Sequence, residues 1–201
     1  MANKVVVIGA SGGVAGALAD GLGAALGGHD TLSASDVDSV VIAVGTEPVP
    51  RLQDIASVSS VEWDNCVGEP MWDALVTLQL AHAALKSRGG RIVVVVPTVG
   101  IAGAVGLVPY TTAVEGIRAM AKSATRQWAR DGVVVNLISA PIRVFAEGLA
   151  ESDGHLTKAA VEDDPTLVRS VVETAKFLLR SDVHHLAGET IVVDGGSVML
   201  P

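Results

Sequence analysis

The chain is predicted to fold as an α/β protein, a doubly wound and mostly parallel sheet covered by helices on both faces, and three observations lead there. The β-branched run Lys4 to Ile8 ends in a glycine-rich loop and passes into a helical pattern. Strand-like and helix-like stretches then alternate to the end of the chain. The strand-like runs are continuously apolar rather than alternating, as in strands buried on both faces.

Taken in order, Lys4-Val5-Val6-Val7-Ile8 is the first strand, stopped by Gly9. Ala17 to Leu26 follows as a helix with Leu18, Leu22, Ala25 and Leu26 at helical spacing, ended by Gly27-Gly28. Val40 to Val44 is the second buried strand. Thr46 to Pro70 reads as irregular, with a short helix over Leu52 to Val58. Met71 to Lys86 is a helix with an apolar side, and Gly89-Gly90 closes it before the strand Arg91 to Val96, which stops at Pro97. Tyr110 to Arg130 is the longest helix, and the strand Val133 to Ile138 comes directly after it. Phe145 to Asp164 is a polar insertion, Pro165 to Leu179 a helix, and Thr190 to Val193 a last strand closed by Asp194-Gly195-Gly196.

A length of 201 residues fits one domain, 1–201, with a substantial core. Apolar residues make up 49% and charged residues 18%, which points to a compact fold. A net charge of -8, with no block of Lys or Arg, argues against nucleic acid and anionic membranes as partners. The weakly charged stretch Val5 to Gly28 is broken by Asp20 and by glycines, and does not reach membrane-spanning length. The one cysteine, Cys66, reads as a small half-buried hydrophobe in a reducing compartment, so a cytoplasmic location is expected.

Between a buried strand and a helix, glycines let the backbone approach a pyrophosphate, and the free N–H groups of the helix bind it. Gly9, Ser11, Gly12 and Gly13 are placed for this cofactor contact, in a Rossmann-like crevice. Glycines here also serve close helix-to-strand packing, so fold and binding are separate questions.

With these residues in view, the chain resembles the short-chain dehydrogenase/reductase family over nearly its whole length. Gly9-Ala10-Ser11-Gly12-Gly13-Val14-Ala15 is similar to the family's TGxxxGxG loop. Trp72-Asp73 resembles the start of its central helix, and Gly90-Arg91-Ile92-Val93 the strand leading to its catalytic serine. Tyr110 stands at the spacing of its catalytic tyrosine. Asn136 to Pro141 resembles the strand ending in Pro-Gly, and Ala187-Gly188-Glu189 with Val193-Asp194-Gly195-Gly196 the closing TGxxxxVDGG.

The resemblance implies an NAD(P)-dependent oxidoreductase in which a tyrosine exchanges a proton, a lysine one turn on lowers its pKa, and a serine binds the carbonyl. This chain departs from that pattern. The lysine position is Val114, and Glu115 beside it has a sign that would raise a tyrosine pKa. Without the lysine, Tyr110 is expected to titrate near ~10. The serine position is Pro97, and Thr98 substitutes only if the strand end shifts by one residue. The helix asparagine of the tetrad is Gln79, the family's NNAG reads Ile42-Ala43-Val44-Gly45, and Ala146 replaces the threonine that holds the nicotinamide. The gap before Asp38-Ser39-Val40 is too short for the family's second strand, second helix and third strand, so the fold is expected to be truncated there. Asp30 and Asp36 could read an adenosine ribose but fit plain loop acids better.

Among the remaining candidates, His82 sits on the apolar side of a helix and suits a hydrogen-bonded core or interface position. His184-His185 fit a solvated turn, and no metal site is expected. Glu151, Asp153, His155 and Asp163-Asp164 suit either a lid over a pocket or an exposed loop. Trp63, Trp72 and Trp128 are half of the six aromatics; in the family two long helices and the last strand form subunit contacts, for which the two tryptophans in those helices, Trp72 and Trp128, would be anchors, and the tail Val198-Met199-Leu200-Pro201 fits either such an interface or its own subunit. The expected function is a catalytically degenerate subunit with no cofactor or weakly bound NAD(P), acting in a homo-oligomer or in a hetero-oligomer with an active relative. The alternatives are a working oxidoreductase in which Tyr110 and Thr98 act on a carbonyl or alcohol, and a small-molecule binding module.

Overall fold

The computed structural model describes residues 4–34, 36–45, 50–146, 158–162 and 164–199. Six strands, β1 (Val5–Ile8), β2 (Ala25–Gly27), β3 (Ser39–Ala43), β4 (Gly90–Pro97), β5 (Val133–Ala140) and β6 (Thr190–Val192), form one sheet in the order β2-β1-β3-β4-β5-β6. Every pairing is parallel. The helices are α1 (Gly13–Leu22), α2 (His29–Ala34), α3 (Ser60–Trp63), α4 (Glu69–Leu85), α5 (Val99–Ala102), α6 (Val108–Trp128) and α7 (Asp164–Leu178).

Alternation along each strand divides the core. Val6, Val40, Ile92 and Val135 fall in register across β1, β3, β4 and β5 and face α2, α4 and α6. Val7, Val41, Val93 and Ile138 point the other way, onto α1 and α7. Both rows are almost fully buried, and each such side chain contributes about 1.5–3 kcal/mol by leaving water. Asn136, buried in β5, donates from Nδ2 to the Leu186 carbonyl at 2.9 Å and accepts from the Glu189 N–H at 3.0 Å, which fixes the turn into β6.

The region following the first helix corrects the sequence reading. Helix α1 stops at Leu22 because Gly23 adopts a left-handed conformation (φ 60°), and the chain turns at once into β2. A second strand and a short second helix are therefore present, where the sequence suggested neither. A strand of three residues carries no readable periodicity, and Gly27-Gly28 imitated a helix stop. Among the described residues β2 is the edge strand of the sheet on that side.

The segment read as irregular also contains helix. Ser59 and Glu62 form a capping box at α3, with the Ser59 hydroxyl accepting from the Glu62 N–H and the Glu62 carboxylate accepting from the Ser59 N–H. A π turn over Asp64–Gly68 joins α3 to α4. Only Ile55–Ser57, a 3-10 turn, remains of the helix expected over Leu52 to Val58. Strand β4 runs one residue further than expected and takes in Pro97, paired with Ala140.

Candidate functional site

In an open parallel sheet, ligands bind beyond the carboxyl ends of the strands, where neighbouring strands lead away in opposite directions. Here that place is the end of β1, which has β2 on one side and β3 on the other. A cavity of about 440 Å³ opens there. Its floor is apolar, with Ile8, Ile42, Val44 and Ala74, and its rim is polar, with His29, Asn65, Glu69, Asp73 and Thr77.

The glycine loop forms one edge. A Cβ at Gly9 would lie 3.0 Å from the Ala15 Cβ and 3.2 Å from that of Ala43, so glycine is needed for α1 to approach the sheet. Gly12 (φ 121°) and Gly13 (φ 48°) both take backbone conformations that disfavour other residues. Ser11, Gly12 and Gly13 are exposed, and the first turn of α1 carries no acid. A Cβ at Gly13 would stand 3.2 Å from the Val144 carbonyl oxygen and 3.4 Å from that of Phe145, in the turn that follows β5.

The rim has a built hydrogen-bond chain that the sequence did not reveal. The Thr77 hydroxyl donates to the Asp73 carbonyl at 2.8 Å, so it accepts from His29 Nε2, also at 2.8 Å. The Asp73 carboxylate lies 3.5 Å from the same nitrogen. His29 is the first residue of α2 and Asp73 lies one turn into α4, so their meeting depends on β2 being in place. The acids proposed from the sequence for this crevice are elsewhere. Asp30 is exposed on α2, whereas Asp36 pairs with Arg88 and Lys4 below the opposite, amino-terminal edge of the sheet.

Tyr110 lies in the first turn of α6, only 7% exposed, and its hydroxyl has no hydrogen-bond partner among the described residues. Burial pushes its pKa well above the ordinary phenol value. This corrects the expectation of an ordinary value, and the cause is desolvation rather than Glu115. The Glu115 carboxylate is engaged by Arg118, whose Nε donates at 2.8 Å. Val114, one turn beyond Tyr110, is 1% exposed, with Gly100 packed closely against it.

Thr98 is buried at the end of the extended β4. It follows β4 directly, its N–H donates to the Ala140 carbonyl at 2.8 Å, and its hydroxyl is fully buried without a partner among the described residues. Ser139, on β5, is in the same condition. Ser139 belongs to none of the family's catalytic positions, and its place opposite Val96 in β5 is the one sequence signal for it.

The other candidates separate from this region. His82 joins α4 to the end of α6 through Asp131, with 2.9 Å between Nε2 and the carboxylate. His184 and His185 are exposed. Glu151, Asp153, His155 and Asp163 lie outside the described residues, as do Leu200 and Pro201. No described helix is long and apolar enough to cross a membrane.

Comparison with known proteins adds an independent line. A family model described as enoyl-(acyl carrier protein) reductase matches residues 30–198. The 3-oxoacyl-[acyl-carrier-protein] reductase FabG of Salmonella typhimurium is 26% identical over 180 residues, covering 83% of this chain and 70% of the relative. The FabG of Escherichia coli K12 is 25% identical over the same length and shares. The 3-oxoacyl-[acyl-carrier-protein] reductase MabA of Mycobacterium avium is 30% identical over 128 residues, or 62% of this chain and 50% of its own.

Proposed function

The chain belongs to the short-chain dehydrogenase/reductase family of oxidoreductases, and on that premise we propose that it serves as a non-catalytic structural or regulatory subunit. Residues 1–201 act as one Rossmann-like unit, in the cytoplasm, within a homo-oligomer or a hetero-oligomer with an active family member. The observation that carries this reading is the burial of Tyr110 beside an equally buried Val114. A proton-transferring tyrosine needs a pKa lowered toward neutrality, and this one is displaced in the opposite direction with no cation one turn away. Exposed Trp72 and Trp63, at 66% and 41%, provide anchors for subunit contact along α3 and α4.

NAD(P), the cofactor the family implies, fits these residues poorly, which supports absent or weak binding. The glycine loop has the right shape, but among the described residues the cavity lining contains no Lys or Arg, and two carboxylates, Glu69 and Asp73, stand there with His29. The test is co-expression with a complete 3-oxoacyl reductase-type relative, followed by mass measurement and a reductase assay with and without this chain. A mixed assembly whose turnover resides in the partner alone is the expected result. NADPH-dependent turnover by this chain alone, lost in Tyr110→Phe, would sink the reading.

A second reading, a working oxidoreductase using Tyr110 and Thr98, is favoured by one observation. The hydroxyls of Thr98, Tyr110 and Ser139 are all buried without partners among the described residues, and each such group costs about 1–3 kcal/mol unless a polar group meets it. The same turnover assay decides between the two.

A further inference from the structure

We propose that the cavity at the amino-terminal edge of the sheet binds a small organic monocarboxylate, with Arg91 holding the carboxylate and apolar walls holding the rest. The site lies at the opposite end of the strands from the glycine loop, and it is independent of whether the chain is catalytic.

The strand register builds this cavity. Val5, Ser39 and Arg91 stand side by side on β1, β3 and β4. Arg91 precedes the inward-facing Val93 by two residues, so the row faces α1 and α7. Over the row those two helices pack so closely that a Cβ on Gly21 would lie 2.5 Å from the Val172 Cγ1. Both helices end there, and between their ends and the starts of the strands a cavity of about 830 Å³ remains, within the range of small-molecule sites. Val5, Leu22 and Leu179 give it apolar walls, and Arg91 lies among them.

Charge selects the ligand. The other ions around the mouth cancel. Lys4 and Arg88 meet Asp36, with Asp38 beside them accepting from the Lys4 N–H at 2.9 Å. Arg180 meets Asp182, and Lys176 meets Glu173. Arg91 has no carboxylate partner among the described residues. Its two terminal nitrogens donate to the Gly90 and Val183 carbonyls at 3.3 and 3.4 Å, and its Nε, shielded from solvent, has no partner there. A half-buried guanidinium held by long bonds to neutral oxygens keeps one uncompensated positive charge, and a planar carboxylate matches its fork of donors. One such charge suits a monoanion. A phosphate dianion exceeds it and meets Asp38 and Asp182 in the same lining.

Calorimetric titration of the purified full chain with hexanoate, hexan-1-ol and inorganic phosphate tests this. Hexanoate is expected to bind at least about tenfold more tightly than the alcohol, and equimolar phosphate should not displace it. Equal affinities of acid and alcohol, no binding of hexanoate, or displacement by phosphate would each overturn the proposal. Two variants locate the site. Arg91→Gln removes the charge and should bring hexanoate down to the level of the alcohol. Ser181→Glu, at an exposed position in the lining, places a carboxylate at the mouth without touching the core. It should weaken hexanoate several-fold and leave the alcohol unchanged. Hexanoate affinity that survives Arg91→Gln would put the acid elsewhere and overturn the assignment. So would an unchanged affinity in Ser181→Glu, which decides the matter if Arg91→Gln does not fold.

Discussion

The imidazole of His82 lies flat on the indole of Trp128, with ring centroids 4.4 Å apart and planes 14° from parallel. The same ring meets Asp131 at 2.9 Å, so one side chain of α4 holds both the end of α6 and the turn that feeds β5. Replacing His82 with Ala removes the stack and the hydrogen bond, and the expected loss is about 1–2 kcal/mol in urea unfolding. His82→Phe keeps the stack and should lose roughly half as much. A loss within about 0.5 kcal/mol of zero for His82→Ala would show that the contact is not structural.

Thr125 fastens the same helix to the sheet from within. Its hydroxyl donates to the Val135 carbonyl at 2.7 Å and accepts from the Val135 N–H at 2.6 Å, all of it buried. Thr125→Val keeps the shape and leaves the N–H unpartnered, for an expected loss of about 2–3 kcal/mol, whereas Thr125→Ser should lose about 1 kcal/mol or less. Equal losses from both substitutions would assign the effect to packing.

Restoring a lysine at the position one turn after Tyr110 should not restore chemistry. Val114 is 1% exposed and touches Gly100 so closely that a Cβ on Gly100 would lie 2.6 Å from its Cγ1. Val114→Lys is predicted to lower the melting temperature sharply, because an unpaired ammonium must enter the core. A folded variant that gains NADPH-dependent turnover would show that the site needs only its missing cation.

Acid sensitivity should be slight and should come from exposed pairs. The Arg180 guanidinium, donating from Nε at 2.9 Å, holds the Asp182 carboxyl down at about 2. A lowered folded value means stability that is present above the unfolded pKa of about 4 and is lost as the pH falls toward 2. Asp182→Asn should flatten that part of the stability curve slightly, and salt should mask the difference. A large effect that survives salt would mean that the pair is less exposed than it is here.

The parts of the fold visible from the sequence were those built by unbroken local patterns. The valine runs of β1, β3, β4 and β5 announce themselves because both sheet faces are covered, and Gly9 marks the close approach of α1. Asp194 was legible as part of a closing motif, and it accepts from the Gly196 and Val198 N–H groups at 2.8 and 2.7 Å to shape that turn. Strand β2 was not legible, because a helix stop at Gly23 and a three-residue strand leave no period to detect. The rim of the crevice was lost with it: His29, Glu69 and Asp73 are distant in sequence and meet only because β2 delivers His29 to the head of α4. The position of Tyr110 could be read by spacing, whereas its burial could not, because that depends on how α6 settles against β4 and β5.

That burial admits a direct measurement, since Tyr110 is the only tyrosine in the chain. Its folded pKa is raised, so the neutral phenol stabilises the fold below the unfolded value of about 10, and that stability is lost as the pH rises beyond it. Ultraviolet titration of phenolate absorbance, with circular dichroism on the same sample, reads one residue. Phenolate should be absent from the native chain at every pH where it stays folded and should appear only together with alkaline unfolding. A phenolate forming in the folded chain between about pH 6 and 9 would mean a tyrosine activated for proton transfer, and would contradict the non-catalytic account.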